Sequence, residues 1–232
     1  MLAEAFWKAV TLITSLDAAL LEIVCLSLAV SGVATLIAAM LALPLAAWVV
    51  RSQSRLRSPL IVTLNASLGV PPVIVGLVAY LLLSRSGPLG ALGWLFTPAG
   101  MTFAQVLLVT PIIAALARQV LDDAHTEYRD LFASLALSPR QGLATLLYEA
   151  RFSLLVVLLA GFGRAIAEVG AVMMVGGNIA GETRVMTTAI ALETARGELE
   201  LALALGFVLL TLVIVINLLA QLLRDALARR HG

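Results

Sequence analysis

The sequence predicts an all-α integral membrane protein, and three observations support this fold class. Of the 232 residues, 61% are hydrophobic and only 12% are charged. A soluble domain has about 45–50% apolar and about 25% charged residues, so this composition is typical of a chain that folds in lipid. Apolar runs long enough to cross a bilayer are also present, and a helix there satisfies every backbone group within one segment.

These runs predict about five transmembrane helices, since a span needs about 20 apolar residues. They cover residues 19–50, 60–83, 101–121, 152–175 and 199–223. A shorter apolar stripe at helical spacing precedes them and consists of Leu2, Phe6, Val10 and Ile13. We expect residues 1–17 to form an interfacial helix, and residues 1–232 to form a single transmembrane domain.

The distribution of arginines predicts the orientation of the chain. The loops at the ends of the first, third and fifth runs are rich in arginine: Arg51, Arg55, Arg57, Arg118, Arg129, Arg140, Arg151, Arg224, Arg229 and Arg230. The alternate loops have few arginines, and most of those lie among glutamates. The positive-inside rule therefore predicts a cytoplasmic C-terminus and, for five spans, an external N-terminus. The unusual length of the first run leaves a sixth crossing open.

Residues 122–150 form the longest polar interruption inside the chain. An apolar face at helical spacing consists of Tyr128, Leu131, Phe132 and Leu135. Ser138 has the character of an N-cap, with Pro139 at the first helical position, so a helix, a turn and a second helix are expected. The pattern alone favours an amphipathic connector on the membrane surface over a helix that docks in the groove of a partner.

A resemblance to a known family favours the docking interpretation. The segment is similar to the coupling-helix loop of ABC import permeases, in a degenerate form: Asp130-Leu131-Phe132 stands at the Glu-Ala-Ala start and Ala136 at the glycine position. Three later stretches resemble the permeases of the molybdate, tungstate and sulfate import group, most strongly the tungstate branch. They read YEARFS at 148–153, GFGRAIAEVGAVMMVGGN at 161–178 and RVMTTAIALE at 184–193.

The resemblance implies a type I ABC importer permease in a prokaryotic cytoplasmic membrane. Such permeases form homodimers that dock two copies of a cytoplasmic ATPase, and an external binding protein delivers the oxyanion. The chain itself would bind no cofactor, because ATP and Mg²⁺ are used by the ATPase. The residues implied in ATPase coupling are Tyr128, Asp130, Leu131, Phe132, Leu135, Ala136, Ser138, Pro139 and Arg140.

The energy source is predicted to lie in another chain. A P-loop needs a lysine in a glycine-rich strand-to-helix turn, and the only lysine is Lys8. The rival hypothesis is an ion-coupled secondary transporter of anions, which normally carries ionisable residues on several spans and an internal repeat. A membrane scaffold without transport activity is a third hypothesis. With a net charge of +1 the protein has no general field to attract nucleic acid.

Arg164 and Glu168 are the charged pair predicted inside the membrane. They are four residues apart in the fourth run, so a continuous helix would place them on one face. A charge at mid-bilayer costs about 2.5–3.5 kcal/mol on insertion scales, which disfavours exposure to lipid. Two roles are equally open: a neutral pair that fixes helix packing, or a weakly attractive lining for an anion with Glu168 orienting Arg164.

Two further groups are candidates for the transport path or its gate. In the second run, Asn65 and Ser67 precede Pro71 and Pro72, which remove backbone donors and predict a kink. Two roles are open for this kink: it allows helices to pack, or it lines a gate of the transport path. In the fourth run, Gly177 and Asn178 follow the predicted helix end, where open amide groups would contact an oxyanion. Tungstate, molybdate and sulfate are not distinguished by these residues.

Overall fold

The computed structural model describes residues 2–15, 17–52, 54–135 and 137–231, without the side chains of residues 133, 139, 140 and 223–231. The described residues form helices joined by turns and contain no strand. The helices in chain order are α1 Leu2–Thr14, α2 Ala18–Arg51, α3 Arg57–Ser67, α4 Pro72–Leu83, α5 Pro98–Ser134, α6 Pro139–Glu149, α7 Arg151–Ile166, α8 Gly170–Gly176, α9 Met186–Arg196 and α10 Leu199–His231. A short 3-10 helix, Gly90–Leu92, precedes α5. The predicted all-α class is confirmed.

Three helices among the described residues are long and apolar enough to cross a membrane: α2, α5 and α10. The pairs α3 with α4 and α6 with α7 also qualify if each bent pair is one span, which gives up to five. The protein is therefore a multi-pass membrane protein. The count of five crossings stays a prediction.

Three predicted boundaries were wrong. The second run is not one kinked helix, because the turn at 68–71 before Pro72 divides it into α3 and α4. The fourth run is not continuous either, since α7 ends at Ile166 and α8 begins at Gly170. The third run is part of a helix that continues past the predicted end to Ser134. A helix can continue from lipid into water, because its backbone hydrogen bonds are internal and only its side chains must become polar.

The contacts within the chain divide it into two compact units. The first contains Met1–Gly32, Pro72–Gln105 and Ile166–Gly232, and the second contains Val33–Pro71 and Val106–Ala165. The single-domain expectation for residues 1–232 stays a prediction. Each unit has its own buried apolar residues.

In the first unit, α1 packs along α10 and short helices pack on one another. Phe6 meets Phe207 edge to face with ring centroids 6.1 Å apart, while Ala5 and Ala9 are the buried residues of α1. The predicted apolar stripe of α1 is thus largely exposed, since Leu2 and Ile13 are 65% and 45% accessible. Its location at the membrane interface stays a prediction.

The close approach of α4 to α8 depends on a glycine in the first unit. A Cβ atom built on Gly76 would lie 2.6 Å from Cα of Ala171, which is backbone and cannot move aside. The neighbouring buried residues include Ala79, Leu83, Ala104 and Val175. Small residues that let backbones approach are the usual basis of helix association in lipid, where no hydrophobic force acts between helices.

In the second unit, small residues again allow close contact. A Cβ on Gly161 of α7 would lie 2.6 Å from the Cδ1 atom of Ile113 on α5. Helix α2 also buries a stripe of fully inaccessible alanines at four-residue spacing: Ala34, Ala38, Ala42 and Ala46. This spacing keeps the stripe on one face of the helix.

We predict that Gly76→Ala lowers the thermal midpoint of unfolding of the purified protein in detergent. The added methyl group must push α4 from α8, and such overpacking costs typically about 1–3 kcal/mol. Gly206→Ala is the matched control, because a Cβ on that helical glycine meets nothing within 4 Å. Equal midpoints for both variants would contradict the close packing of α4 on α8.

Candidate functional site

The break between α7 and α8 is held by the carboxylate of Glu168, which is only 3% accessible. Its Oε1 atom accepts a hydrogen bond of 3.1 Å from the backbone N–H of Ala171, at the start of α8. A helix start leaves backbone N–H groups without intrahelical partners, and a side-chain oxygen that accepts from them stabilises the start. Glu168 therefore acts as a cap for α8.

A second bond fixes the same break from helix α9. The hydroxyl of Thr187, itself 6% accessible, donates to the backbone oxygen of Glu168 at 2.8 Å. Gly170 lies close by, and a Cβ there would come within 2.9 Å of the Val73 side chain on α4. At this break, the N–H of Ala171 and the backbone oxygen of Glu168 are thus both hydrogen-bonded to side chains of the protein.

The break changes the prediction for the charged pair. Arg164 lies half-buried in the last turn of α7, whereas Glu168 lies beyond the end of that helix. The two residues are therefore not on one face of a continuous helix, as predicted, because the carboxylate is used to start the next helix. Both side chains have partners within the protein. Whether they contact an anion stays a prediction.

The turn after α8 is built around Thr183, which is fully buried. Its hydroxyl donates to the backbone oxygen of Gly176 at 2.6 Å and accepts from the N–H of Ile179 at 2.9 Å. Gly177 takes a left-handed conformation with φ of 73° and caps the helix. The predicted helix end is confirmed, but the amide of Gly177 is not open, because it donates to the oxygen of Met173.

Asn178 and Arg184 are brought together in that turn. Arg184 Nη2 donates to the backbone oxygen of Asn178 at 3.5 Å. The Asn178 Oδ1 and Arg184 Nε atoms are both buried and have no hydrogen-bond partner among the described residues. Arg184 is half-buried. Buried polar atoms without a partner mark a place where a polar ligand or water can bind.

The segment from Asn65 to Pro72 forms the turn between α3 and α4. Ser67 is half-buried and its hydroxyl donates to the oxygen of Leu64, while Asn65 and Pro71 are exposed. Pro72 is the first residue of α4, where its missing N–H leaves no bond unmade. The prolines therefore mark a break between two helices and not the predicted kink within one helix, and the role of these residues in a gate stays a prediction.

The predicted docking residues lie at the end of α5 and the start of α6. Tyr128 and Phe132 are half-buried and stack with centroids 6.0 Å apart, while Leu131 and Leu135 are 49% and 60% accessible. The predicted single apolar face is therefore divided into a packed pair and an exposed pair. Asp130 is exposed on the same helix. Ala136 lies outside the described residues, as do the side chains of Pro139 and Arg140.

The start of α6 agrees with the sequence prediction. Ser138 forms a capping box with Gln141: the N–H of Gln141 donates to the Ser138 hydroxyl, and the N–H of Ser138 donates to the Gln141 amide oxygen. Helix α6 then meets α7 at an angle of 65°. Arg151 stabilises this corner, since its guanidinium lies 3.8 Å from the ring centroid of Tyr148 and 4.6 Å from that of Phe152.

An ion-pair cluster in the second unit joins α3 to α5. Asp122 accepts from Arg57 at 3.2 Å through one oxygen and from Arg118 at 3.1 Å through the other. Arg57 Nε also donates to the backbone oxygen of Val49 near the end of α2. Both partners of the Arg57 pair are about a third exposed, so the contribution of the cluster is mainly to fix the geometry of the turn after α2.

Sequence reasoning missed four residues of these sites: Thr183, Thr187, Asp122 and Arg184 as a buried group. The threonines have no local pattern, since their partners are backbone atoms of other segments. The pair between Arg57 and Asp122 joins residues 65 positions apart. The sequence offered little signal, because Thr183, Thr187 and Thr188 follow the glycine turn as the threonines of a solvated loop would.

Known proteins match this chain over most of its length. It is 39% identical over 224 residues to the tungstate uptake system permease protein TupB of Peptoclostridium acidaminophilum, covering 97% of this chain and 98% of that protein. It is 37% identical over 218 residues to a probable anion ABC transporter permease protein of Haloferax volcanii, covering 92% of this chain and 94% of that protein.

The chain belongs to the ABC transporter permeases of the molybdate, tungstate and sulfate import group. The molybdenum transport system permease protein ModB of Azotobacter vinelandii is a more distant relative of this permease, at 26% identity over 173 residues, 71% of this chain and 76% of ModB. No family model matches the chain. As a permease subunit, the protein is not itself an enzyme.

We predict that Thr187→Val destabilises this permease and that Thr187→Ser does not. Valine has nearly the same shape but no hydroxyl, so the buried oxygen of Glu168 loses this donor, at a cost of about 1–3 kcal/mol. Chemical unfolding in detergent measures the loss, and amide hydrogen exchange shows whether it opens α8. If both variants behave alike, the bond between Thr187 and Glu168 does not hold the break.

Proposed function

We propose that this permease forms the translocation path of an ATP-driven tungstate importer in a prokaryotic cytoplasmic membrane. The observation that carries the proposal is its 39% identity, over 97% of the chain, to a protein named a tungstate permease. Matches to permeases for molybdenum and sulfate are weaker, at 26% and 28% identity. Molybdate and sulfate are therefore the competing substrates in the test below.

The proposed complex contains two copies of this chain, two cytoplasmic ATPase subunits and an external oxyanion-binding protein. In this assembly ATP and Mg²⁺ act only on the ATPase subunits, and substrate is selected first by the binding protein. A cytoplasmic C-terminus is supported by the arginines that follow the first, third and fifth apolar runs. The same arrangement puts the end of α5 and the start of α6 in the cytoplasm.

The proposed docking surface for the ATPase is the exposed leucine pair of α5 with the corner that follows it. Leu131 and Leu135 are large, apolar and exposed, and Tyr148 is 55% accessible near the α6–α7 corner. Exposed apolar side chains next to a capped turn suit insertion into a groove of a partner. Ser138 supports this surface by starting α6 with a capping box.

The proposed path involves residues at the helix breaks. Arg164 gives positive potential near the break that Glu168 caps, and weak attraction suits a transported dianion better than a tight ion pair. Asn178 and Arg184, with unpaired buried atoms, are the proposed contact nearer the external end. Asn65 and Pro71 are exposed at the other break and are proposed to line the gate.

Reconstitution tests the transport proposal. Proteoliposomes that contain this permease and its ATPase are expected to accumulate tungstate when ATP and the binding protein are supplied, and not when ADP replaces ATP. Competition with unlabelled molybdate and sulfate then ranks the substrates. Accumulation by the permease alone, driven by a proton or sodium gradient, would instead identify a secondary transporter.

The docking surface has its own test. Leu131→Glu is expected to weaken ATPase association about 30-fold, equivalent to about 2 kcal/mol, because it buries an unpaired charge at an apolar contact. Leu199→Glu is the matched control, since Leu199 is also exposed, at 45%, but lies at the predicted external end of α10. Pull-down of the ATPase from detergent with each variant measures the effect. Equal association of both variants would remove Leu131 from the interface.

A further inference from the structure

A polar cavity of about 620 Å³ lies in the second unit beside the end of α2. Its walls include two arginines, Arg51 and Arg57, together with His125 and the hydroxyl groups of Ser52 and Ser138. Asp122 is the only carboxylate among the described lining residues, and its two oxygens are already bonded to Arg57 and Arg118. The cavity therefore has an excess of positive charge and suits a phosphate group.

An apolar groove of about 680 Å³ adjoins this cavity and shares Arg51 and Ser52 with it. Four of its lining residues, Leu43, Pro44, Ala47 and Trp48, follow one face of the last turns of α2, and the groove is completed by Leu143 and Leu147 of α6. Trp48 is 48% accessible. One continuous site is thus apolar along a membrane helix and basic at the end of that helix.

We propose that this site binds an anionic phospholipid, with an acyl chain in the groove and the phosphate beside Arg51 and Ser52. A tryptophan followed by an arginine one turn later is typical of the interface between hydrocarbon and headgroups. Trp48 and Arg51 therefore indicate that the site lies at the level of the lipid headgroups. Basic pockets on the cytoplasmic side of membrane helices bind anionic headgroups. The groove lies mainly along the last turns of α2, a candidate membrane span whose most apolar stretch has a mean hydropathy of 2.3, so an acyl chain matches it better than a surface of a cytoplasmic ATPase does.

The site can be tested with Trp48 as a built-in probe. In the full chain with Trp7→Phe and Trp94→Phe, Trp48 is the only tryptophan, and phospholipids brominated on their acyl chains quench it on contact. In vesicles we expect brominated phosphatidylglycerol to reach half-maximal quenching at about a fivefold lower mole fraction than brominated phosphatidylcholine. Arg51→Gln removes this preference, and Arg51→Lys retains it because the charge is kept.

Arg55→Gln is the matched control, since Arg55 belongs to the same turn but lines neither the cavity nor the groove. It is expected to retain the preference for phosphatidylglycerol. Unchanged helix content by circular dichroism excludes misfolding of the variants. If the group bound beside Arg51 is a lipid headgroup, inorganic phosphate added in millimolar excess leaves the preference for phosphatidylglycerol unchanged.

Three results would overturn the proposal. Equal quenching by the two lipids shows that the site does not select anionic headgroups. Loss of the preference on adding inorganic phosphate identifies a site for a soluble anion. If Arg51→Gln keeps the preference but loses the ATPase in a pull-down, the cavity belongs to a protein interface. None of these outcomes depends on which oxyanion the permease transports.

Discussion

Hydrocarbon contains no water to bond the backbone groups that a helix break exposes, and several buried polar residues of the permease bond such groups. Glu168 and Thr187 bond the backbone at the start of α8, and Thr183 bonds it at the end. Ser27 of α2 accepts from the backbone N–H of Met186, where α9 begins. These four side chains bond the backbone at the ends of the short helices α8 and α9, of which only α8 lies where a continuous span was expected.

The glycines and alanines have the complementary role of bringing helices close enough for such bonds to form. Lipid tails are as apolar as leucine, so helices gain little from apolar surface alone and associate through close packing. The contact of Gly76 with Ala171 sets the distance between α4 and α8 in one unit, and Gly161 allows Ile113 to approach in the other. A larger side chain at Gly76 or Gly161 would push the packed helices apart.

Sequence patterns predicted the features that depend on neighbouring residues. Composition predicted the membrane class, and Ser138 followed by Pro139 predicted the start of α6. The break before α8 was not predictable from periodicity, because the residues on both sides are apolar and Glu168 acts on an amide only three residues away. Helix α9 was missed since its buried threonines resemble a polar loop, and Arg57 and Asp122 meet only through the tertiary fold.

The length of α5 has a mechanical consequence. At 37 residues it is about 55 Å long, whereas the hydrocarbon layer is about 30 Å thick, so a large part of it projects beyond the lipid. It is one helix from Pro98 to Ser134, although Pro111 inside it has no N–H to donate to the preceding turn. Force applied at the end that carries Leu131 therefore acts directly on a helix that is also long and apolar enough to cross the lipid.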